Sequence, residues 1–526
     1  MTSNEDKLHT RSIASVLAIF DILIADTDIA GIEIDNIVLD SREADQGSMF
    51  IAHQGTHVNG NKYIQNALDN GAKFILVNTD NNEQHGEKES VGEALIVRVY
   101  ELEKHIGSIC SAFHQYVSNK LQCVAITGTN GKTSVAHICA QLSAACGEDA
   151  GTIGTMGVAF YTKGKAAVKI SDTINTTPDI ASMHYLAHLV AHRGGKRLCI
   201  EASSHGLHQK RLRGFKVEVA AFTNLTQDHL DYHPSLAEYA QAKRLLLKQD
   251  GVRYAVLNAD DKESHHWIEE APQDTTICLC AVEQPSSEAL LQSYAMHPQT
   301  FTYCMALNPR FTPNGSEFEL ETSWGNAAVS LPLIGQFNIA NLLTALSALL
   351  LQGGSFEQLV NAVSSLAGVP GRMEVFESVK HGNMIVDYAH TPDALKQALL
   401  AARQHVIGQL IVIFGCGGDR DNAKRSQMGK VAEDLADKII LTQDNSRNEL
   451  PEDIIADIQQ GITKMSKLSI DLERTSAIKH AYLNSHSDDL IVVAGKGHEE
   501  YLELNSVREY YNEREYVKQL TMELRG

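Results

Sequence analysis

The chain has 526 residues, 43% of them apolar; at about 150 residues per domain this gives roughly three domains and excludes a small, disulfide-dependent module. A formal charge of −20 excludes broad nonspecific attraction to nucleic acid or an anionic membrane and leaves room for a local basic pocket that takes phosphate. The nine cysteines are scattered, and Cys278 with Cys280 lacks the spacing of a four-ligand zinc site, so they read as reduced packing thiols.

The first long apolar stretch, Ile13 to Ala25, is broken by Ser15 and Asp21 and follows an acidic opening rather than a basic head. No other stretch reaches the roughly 18 apolar residues of a membrane span. The expected compartment is the cytoplasm, with no membrane insertion. Strand-like runs at Ile32 to Leu39 and Lys73 to Val77, with a helix expected over Glu101 to Tyr116, make residues 1–117 a compact α/β domain. Leu121 to Ile126 reads as a buried strand feeding a glycine-bearing turn, and Thr133 to Cys146 as the helix after it. Arg197 to Ile200, Val217 to Thr223 and Tyr254 to Leu257 are further strands, separated by segments such as the expected helix Leu236 to Lys248, which favours a parallel, helix-covered sheet. Residues 272–330 alternate only in short runs such as Glu317 to Leu320, suggesting hairpins. A helix over Asn338 to Leu351 ends at Gly353-Gly354. Beyond about residue 370, the strands Gln409 to Phe414 and Leu490 to Val493 each end in a glycine-rich polar segment, the pattern of a second nucleotide-sized α/β domain. The expected divisions are therefore 1–117, 118–369 and 370–526.

The turn after the strand at Leu121 reads Gly128-Thr129-Asn130-Gly131-Lys132-Thr133-Ser134. Glycines there let backbone N–H groups curl around phosphate oxygens, the helix start adds positive potential, Lys132 reaches outer phosphates and Thr133 approaches magnesium. The orthodox spacing would need a glycine at Ile126, so this is a shortened phosphate loop whose strand-loop-helix context identifies it. It names no acceptor by itself, and a nonenzymatic ATP-dependent switch would carry the same loop.

The loop resembles that of the Mur ligase family, and further segments extend the likeness over essentially the whole chain. They are Asp40-Ser41-Arg42, His53-Gln54-Gly55, Asn175-Thr176-Thr177, Glu201-Ala202-Ser203-Ser204-His205-Gly206 and Asp228-His229-Leu230-Asp231-Tyr232-His233. The series continues with Gly335-Gln336-Phe337-Asn338-Ile339-Ala340-Asn341, Gly371-Arg372-Met373-Glu374, Asp387-Tyr388-Ala389-His390-Thr391-Pro392, Gly415-Cys416-Gly417-Gly418-Asp419-Arg420-Asp421 and Gly495-Lys496-Gly497-His498-Glu499. The resemblance implies a three-domain α/β architecture with a central P-loop ATPase-like domain and a C-terminal Rossmann-like domain. It also implies an ATP- and magnesium-dependent carboxylate–amine ligase that adds meso-2,6-diaminopimelate to the D-glutamate side chain of UDP-N-acetylmuramoyl-L-alanyl-D-glutamate in peptidoglycan precursor synthesis. The lysine-adding branch of the family is the neighbouring alternative, and the resemblance leaves the oligomeric state open.

Residue by residue, the resemblance implies that Lys132, Glu201, His229 and Lys243 serve the chemistry. Thr133, Glu201, His229 and Lys243 are implied to hold the metal, with Lys243 carbamylated to N6-carboxylysine. Without it, Glu201 equally caps a helix, His229 satisfies a buried turn and Lys243 is an exposed lysine on the helical side of Tyr239 and Leu247. Asp228, Asp231 and His233 support the metal shell or cap the turn before the helix. ATP is implied to meet Gly128 to Ser134 together with Asn341, Arg372 and Asp387. The UDP substrate is implied to meet Leu39, Ser41, His53, Gln54, Gly55, Asn175, Thr176, Thr177, Ser203, Gln209 and Arg211. Diaminopimelate is implied to meet Arg420, Asp444, Asn445, Ser446, Arg447, Gly495 and Glu499. The family pattern at 444–447 is Asp-Asn-Pro-Arg; Ser446 loses proline's fixed φ, while Arg447 keeps the cation for a distal carboxylate that lysine lacks.

Overall fold

The computed structural model describes residues 10–22, 33–55, 59–226, 232–284, 286–419, 422–505 and 507–523. They form two compact units, one comprising Met1–Cys280, Leu290–Tyr303 and Thr344–Gly354, the other Ala281–Ala289, Cys304–Leu343 and Ser355–Gly526. Among the described residues no helix is long and apolar enough to cross a membrane, and no disulfide forms.

The first unit opens with strands β1 (Asn36–Val38), β2 (Ser48–Ala52), β3 (Phe74–Thr79), β4 (Lys88–Val91) and β5 (Ala94–Tyr100), in spatial order β1-β2-β3-β5-β4. All pair in parallel except β4 with β5. The expected strand at Ile32 to Leu39 is split at Asp35 into Glu33–Ile34 and β1; Ile32 lies outside the described residues. The expected helix Glu101 to Tyr116 is a 3₁₀ turn, Leu102–Lys104, followed by α1 (Ile106–Phe113), and it stops early because Gln115 and Tyr116 turn left-handed at φ +56° and +54°.

The same unit then builds a larger sheet from β6 (Gln122–Thr127), β7 (Ala150–Gly154), β8 (Gly157–Tyr161), β9 (Val168–Ser171), β10 (Arg197–Glu201), β11 (Val219–Phe222), β12 (Tyr254–Asn258) and β13 (Thr276–Ala281). These eight strands follow one another in the order β9-β8-β7-β10-β6-β11-β12-β13, antiparallel among β7, β8 and β9 and parallel from β7 to β13. Every residue of β10 and β11 is buried, as parallel strands covered on both faces require. Helices α2 (Lys132–Ala145), α3 (Ile180–His192), α4 (Ser204–His208) and α5 (Leu236–Arg244) lie between the strands in sequence. Beyond Arg244 the expected helix continues only as a 3₁₀ turn to Lys248, with Leu246 and Leu247 both buried.

Residues 272–330, expected as hairpins, contribute β13 and then an antiparallel meander of β14 (Thr300–Thr312), β15 (Gly315–Thr322) and β16 (Gly325–Leu331). α6 (Gln336–Leu351) follows, its first half in the second unit and its second half in the first. The second unit's sheet comprises β17 (Glu374–Phe376), β18 (Asn383–Asp387), β19 (Leu410–Phe414), β20 (Lys438–Leu441), β21 (Leu468–Ile470) and β22 (Leu490–Ala494), ordered β17-β18-β22-β19-β20-β21 and parallel apart from β17. The hairpin β23 (Tyr501–Leu504) and β24 (Val507–Tyr510) follows. α7 (Pro392–Arg403) starts on the Thr391 hydroxyl cap with proline in its first turn, and α8 (Arg474–Leu483) and α9 (Glu513–Glu523) lie further along the chain. Arg474 and Glu513, both fully buried, form an ion pair whose arginine also bonds Ala494 O at 2.9 Å and Gln443 O at 3.1 Å. In each unit the functional loops leave the C-terminal ends of parallel strands, where an open α/β sheet offers its crevice.

Candidate functional site

β6 delivers the chain into Gly128 at φ +147°, and Gly131 at φ +88° caps α2, so the first N–H groups of that helix face the loop. A Cβ on Gly128 would overlap the Thr223 hydroxyl. The loop is clamped from the end of β11: Thr129 N donates to Asn224 O at 2.9 Å, Asn130 N to Asn224 Oδ1 at 2.9 Å, and Thr226 N to Thr129 Oγ1 at 2.9 Å. Lys132 Nζ folds over the loop and donates to Gly128 O at 2.9 Å and Thr129 O at 2.8 Å.

Glu201 is the last residue of β10, in register with Ile126, and is 2% exposed. Its carboxylate accepts from Thr133 Oγ1 at 2.8 Å, Thr155 N at 3.0 Å and Thr155 Oγ1 at 3.2 Å. Gly154 makes this possible, since a Cβ there would overlap that carboxylate. Burial pushes the Glu201 carboxyl above its ordinary range, although Lys132 and the threonine hydrogen bonds pull the other way. The helix-capping alternative therefore does not hold: Glu201 is a buried acid bonded to the second residue of the loop's helix.

Lys243, on α5, is 1% exposed, which overturns the surface-lysine alternative. Its Nζ donates to Gly128 O at 2.7 Å and lies 4.2 Å from the Tyr239 ring centroid, while Tyr239 OH donates to Thr129 Oγ1 at 3.3 Å. Two ammonium groups, Lys132 and Lys243, thus converge on one carbonyl oxygen. His229, with Asp228 and Asp231, lies outside the described residues; His233 is described and pairs with Ser204 Oγ at 3.0 Å.

Of the residues implied for the UDP substrate, Thr177 Oγ1 donates to Glu201 O at 2.7 Å and meets Ser203 Oγ at 3.0 Å, and Ser203 caps α4. Thr176 Oγ1 is 3.0 Å from Thr155 Oγ1, and Asn175 is exposed. Arg211 binds Thr177 O and, through Nε and Nη2, Gln209 Oε1 at 3.0 and 2.7 Å. This group therefore reaches Glu201 through Thr177 and Thr155. Ser41 is buried beside the half-buried Leu39, and its carbonyl accepts from Asn70 Nδ2 at 2.8 Å. His53 O accepts from Gly60 N at 2.9 Å, Gln54 N donates to Glu103 Oε1 at 3.1 Å, and Gly55 ends that described segment.

In the second unit, Asp387 ends β18 and accepts from Met373 N at 2.7 Å and Ala389 N at 2.9 Å; burial raises its carboxyl above the usual range. The Arg372 guanidinium stacks 4.9 Å from the Tyr388 ring, and Asn341 Nδ2 donates to Asn338 Oδ1 at 3.1 Å near the start of α6. Asp444, Asn445 and Ser446 are buried just past β20. For Asp444, burial alone would raise the carboxyl, but Lys496 and Arg474 outweigh it and hold it below its ordinary range. Asn445 Nδ2 donates to Glu499 Oε2 at 3.0 Å, and Gly495, at φ +117°, adjoins Asp444. Arg447 is left-handed at φ +51°, with its N–H on Glu503 O at 3.0 Å, its carbonyl accepting from Asn505 N at 2.7 Å and its Nη1 on Gly418 O at 2.6 Å. The hairpin thus fixes the backbone that the missing proline at 446 would otherwise stiffen. Arg420 lies outside the described residues.

Sequence reasoning missed Thr155, Asn224 and Lys496 as parts of these sites and passed over Tyr239. Lys496 carried a signal, a lysine between two glycines, whereas Thr155 in its short hairpin carried none.

Three profiles of one family match the chain: "Mur ligase family, catalytic domain" over residues 33–114, "Mur ligase middle domain" over 126–349 and "Mur ligase, glutamate ligase domain" over 371–497. Among curated proteins, the UDP-N-acetylmuramoyl-L-alanyl-D-glutamate--2,6-diaminopimelate ligase of Haemophilus influenzae (strain PittGG) is 38% identical over 484 residues, covering 92% of this chain and 95% of that protein. A solved structure of a ligase of that name superposes with a TM-score of 0.70 at 32% identity, covering 98% of this chain and 100% of the other. The MurF ligase of Thermotoga maritima, solved in complex with ADP, shares the fold with a TM-score of 0.58 at 17% identity, covering 93% of this chain and 97% of the other.

Gly154→Ala places a methyl group in the Glu201 carboxylate and is expected to cost ~1–3 kcal/mol. A thermal melt checks this as a lowered transition, with Glu201→Ala, which removes the overlapping atoms, in the same background recovering part of the loss.

Proposed function

The chain belongs to the Mur ligase family, and on that premise we propose that it joins meso-2,6-diaminopimelate to the D-glutamate side-chain carboxylate of UDP-N-acetylmuramoyl-L-alanyl-D-glutamate at the expense of ATP. The observation that carries this reading is 38% identity over 92% of the chain to a ligase of that name, together with an arginine, Arg447, held in the loop after β20. The work is peptidoglycan precursor synthesis in the cytoplasm, and the functional parts are residues 1–117 for the UDP substrate, 118–369 for ATP and 370–526 for the amino acid.

A carboxylate does not condense with an amine at neutral pH because its oxygen is a poor leaving group. A D-glutamate carboxylate oxygen attacks the γ-phosphorus of ATP, the bond to the β-phosphate oxygen breaks and ADP departs, leaving an acyl phosphate. The diaminopimelate ammonium gives one proton to water, the free amine attacks the carbonyl carbon, and the nitrogen sheds a second proton to water as the tetrahedral species forms. The tetrahedral species collapses as the carbon–oxygen bond to phosphate breaks, and the amide remains. Lys132 exchanges its Gly128 and Thr129 carbonyl contacts for phosphate oxygens, and the N–H groups of the loop face the same charge. Asn341, Arg372 and Asp387 serve the nucleotide, while Leu39, Ser41, His53 to Gly55, Asn175 to Thr177, Ser203, Gln209 and Arg211 hold the UDP sugar peptide. Arg447, with Arg420, takes the distal carboxylate of diaminopimelate, and Asp444 to Ser446 with Gly495 and Glu499 take its amine-bearing end.

Magnesium fits beside the loop: Glu201 is a buried carboxylate raised by burial, a state that a dication relieves, and Thr133 supplies a second hard oxygen. These two residues, with His229 and carbamylated Lys243, would hold the ion, which when bound offsets triphosphate charge. Carbamylation, in which the neutral Lys243 amine bonds CO₂ carbon and releases a proton, replaces the second ammonium on Gly128 O with an anion and removes a like-charge contact.

Purified protein with ATP, magnesium, the UDP-muramoyl dipeptide and competing diaminopimelate and lysine is expected to release phosphate and yield the diaminopimelate product by mass; preferred use of lysine contradicts the assignment. Arg447→Ala is expected to raise the diaminopimelate KM about tenfold or more with little change in the ATP KM. Mass spectrometry under non-acidic conditions is expected to find Lys243 heavier by one CO₂; an unmodified lysine in active protein refutes the carbamate.

A further inference from the structure

Lys496 sits between Gly495 and Gly497 at the end of β22, and its side chain is fully buried. The flanking glycines are what admit its neighbours. A Cβ on Gly495 would stand 2.6 Å from Asp444 Oδ2, and one on Gly497, at φ +52°, 2.6 Å from Tyr388 Cβ. A buried ammonium is tolerated only where it is paired and hydrogen-bonded. Here Nζ donates to Asn445 Oδ1 at 2.8 Å and Glu499 Oε2 at 2.7 Å, lies 3.7 Å from Asp444 Oδ1, and is 5.0 Å from the Tyr501 ring centroid.

The partners are three of the residues assigned above to the acceptor. Asn445 Oδ1 is held by Lys496 Nζ and by Glu503 N at 2.9 Å, which orients the amide so that its Nδ2 donates to Glu499 Oε2. Glu499 Oε2 therefore receives two donors, one direct from Lys496 and one that Lys496 orients, while Oε1 accepts from Tyr388 OH at 3.3 Å. Without Lys496 the amide oxygen keeps only the Glu503 N–H, and the Glu499 and Asp444 carboxylates lose their shared cation.

Building on the acceptor reading given above, we propose that Lys496 is a positioning residue for the amino-acid acceptor, acting through the Asn445 amide and the Glu499 carboxylate rather than through ATP or the UDP substrate. The test uses the full chain with Lys496→Met, Lys496→Arg, Glu499→Gln and the Lys496→Met/Glu499→Gln double variant. Initial rates give KM separately for diaminopimelate, ATP and the UDP-muramoyl dipeptide. Lys496→Met is expected to raise the diaminopimelate KM about tenfold or more, with the other two KM values within about twofold of the parent. The double variant is expected to lose no more than about twofold beyond Glu499→Gln, because the two residues act as one unit. Lys496→Arg keeps the charge but spreads its donors over a planar fork, so a smaller rise of the same kind is expected. If Lys496→Met does not fold, the three KM values and the cycle are read on Lys496→Arg. An unchanged diaminopimelate KM, a parallel rise in all three KM values, or fully multiplicative losses in the double variant would overturn the inference. A parent protein that makes no diaminopimelate product defeats the functional reading instead, so the two failures are told apart.

Discussion

A carboxylate enclosed at the end of β10 constrains the first unit more than any other group. Glu201 is removed from water, and the cost of its charge is offset only in part by the field of Lys132, the Thr133 hydroxyl, and the Thr155 main chain and hydroxyl. Each of these depends on the sheet. β10 lies between β6, which delivers the phosphate loop, and β7, whose final glycine leaves space for the acid. Shifting β10 by one residue against β6 would turn Glu201 to the other face and separate it from the loop.

The second unit handles charge by a different device. Lys496, Asp444, Glu499 and Arg447 are gathered past the C-terminal ends of β20 and β22; Lys496 bonds Asn445 and Glu499, and main-chain contacts from the hairpin that follows hold Asn445 and Arg447. Arg474 and Glu513 support this group from behind, through Gln443 O and Ala494 O, the residues that precede Asp444 and Gly495. Buried pairs of this kind add little net stability but fix geometry, because any rearrangement leaves a charge without its partner.

How much of this was legible in the sequence depended on whether a feature had a local signal. The phosphate loop was, because an apolar strand, two glycines and a helix lie in one continuous stretch. The strands at Leu410 and Leu490 were as well, since parallel strands buried on both faces read as unbroken apolar runs. β7 was not, because Ala150, Gly151 and Gly154 have weak strand character and gain their order from pairing with β8 and β10. The burial of Lys243 was hidden as well: a polar helix face looks solvated until Gly128 is folded beneath it. Ser446 seemed to loosen Arg447, and only the fold reveals the hairpin that holds it. His229 and Arg420 lie outside the described residues, and their roles rest on the motifs alone.

The central claim is that the D-glutamate carboxylate is activated by direct attack on the γ-phosphate, so that one of its own oxygens leaves with phosphate. Supplying the UDP-muramoyl dipeptide with ¹⁸O in that carboxylate, alongside ordinary ATP and diaminopimelate, tests this in a single turnover. The account predicts one ¹⁸O atom in each phosphate released and one retained in the new amide carbonyl. Product formed together with phosphate that carries no ¹⁸O would contradict it.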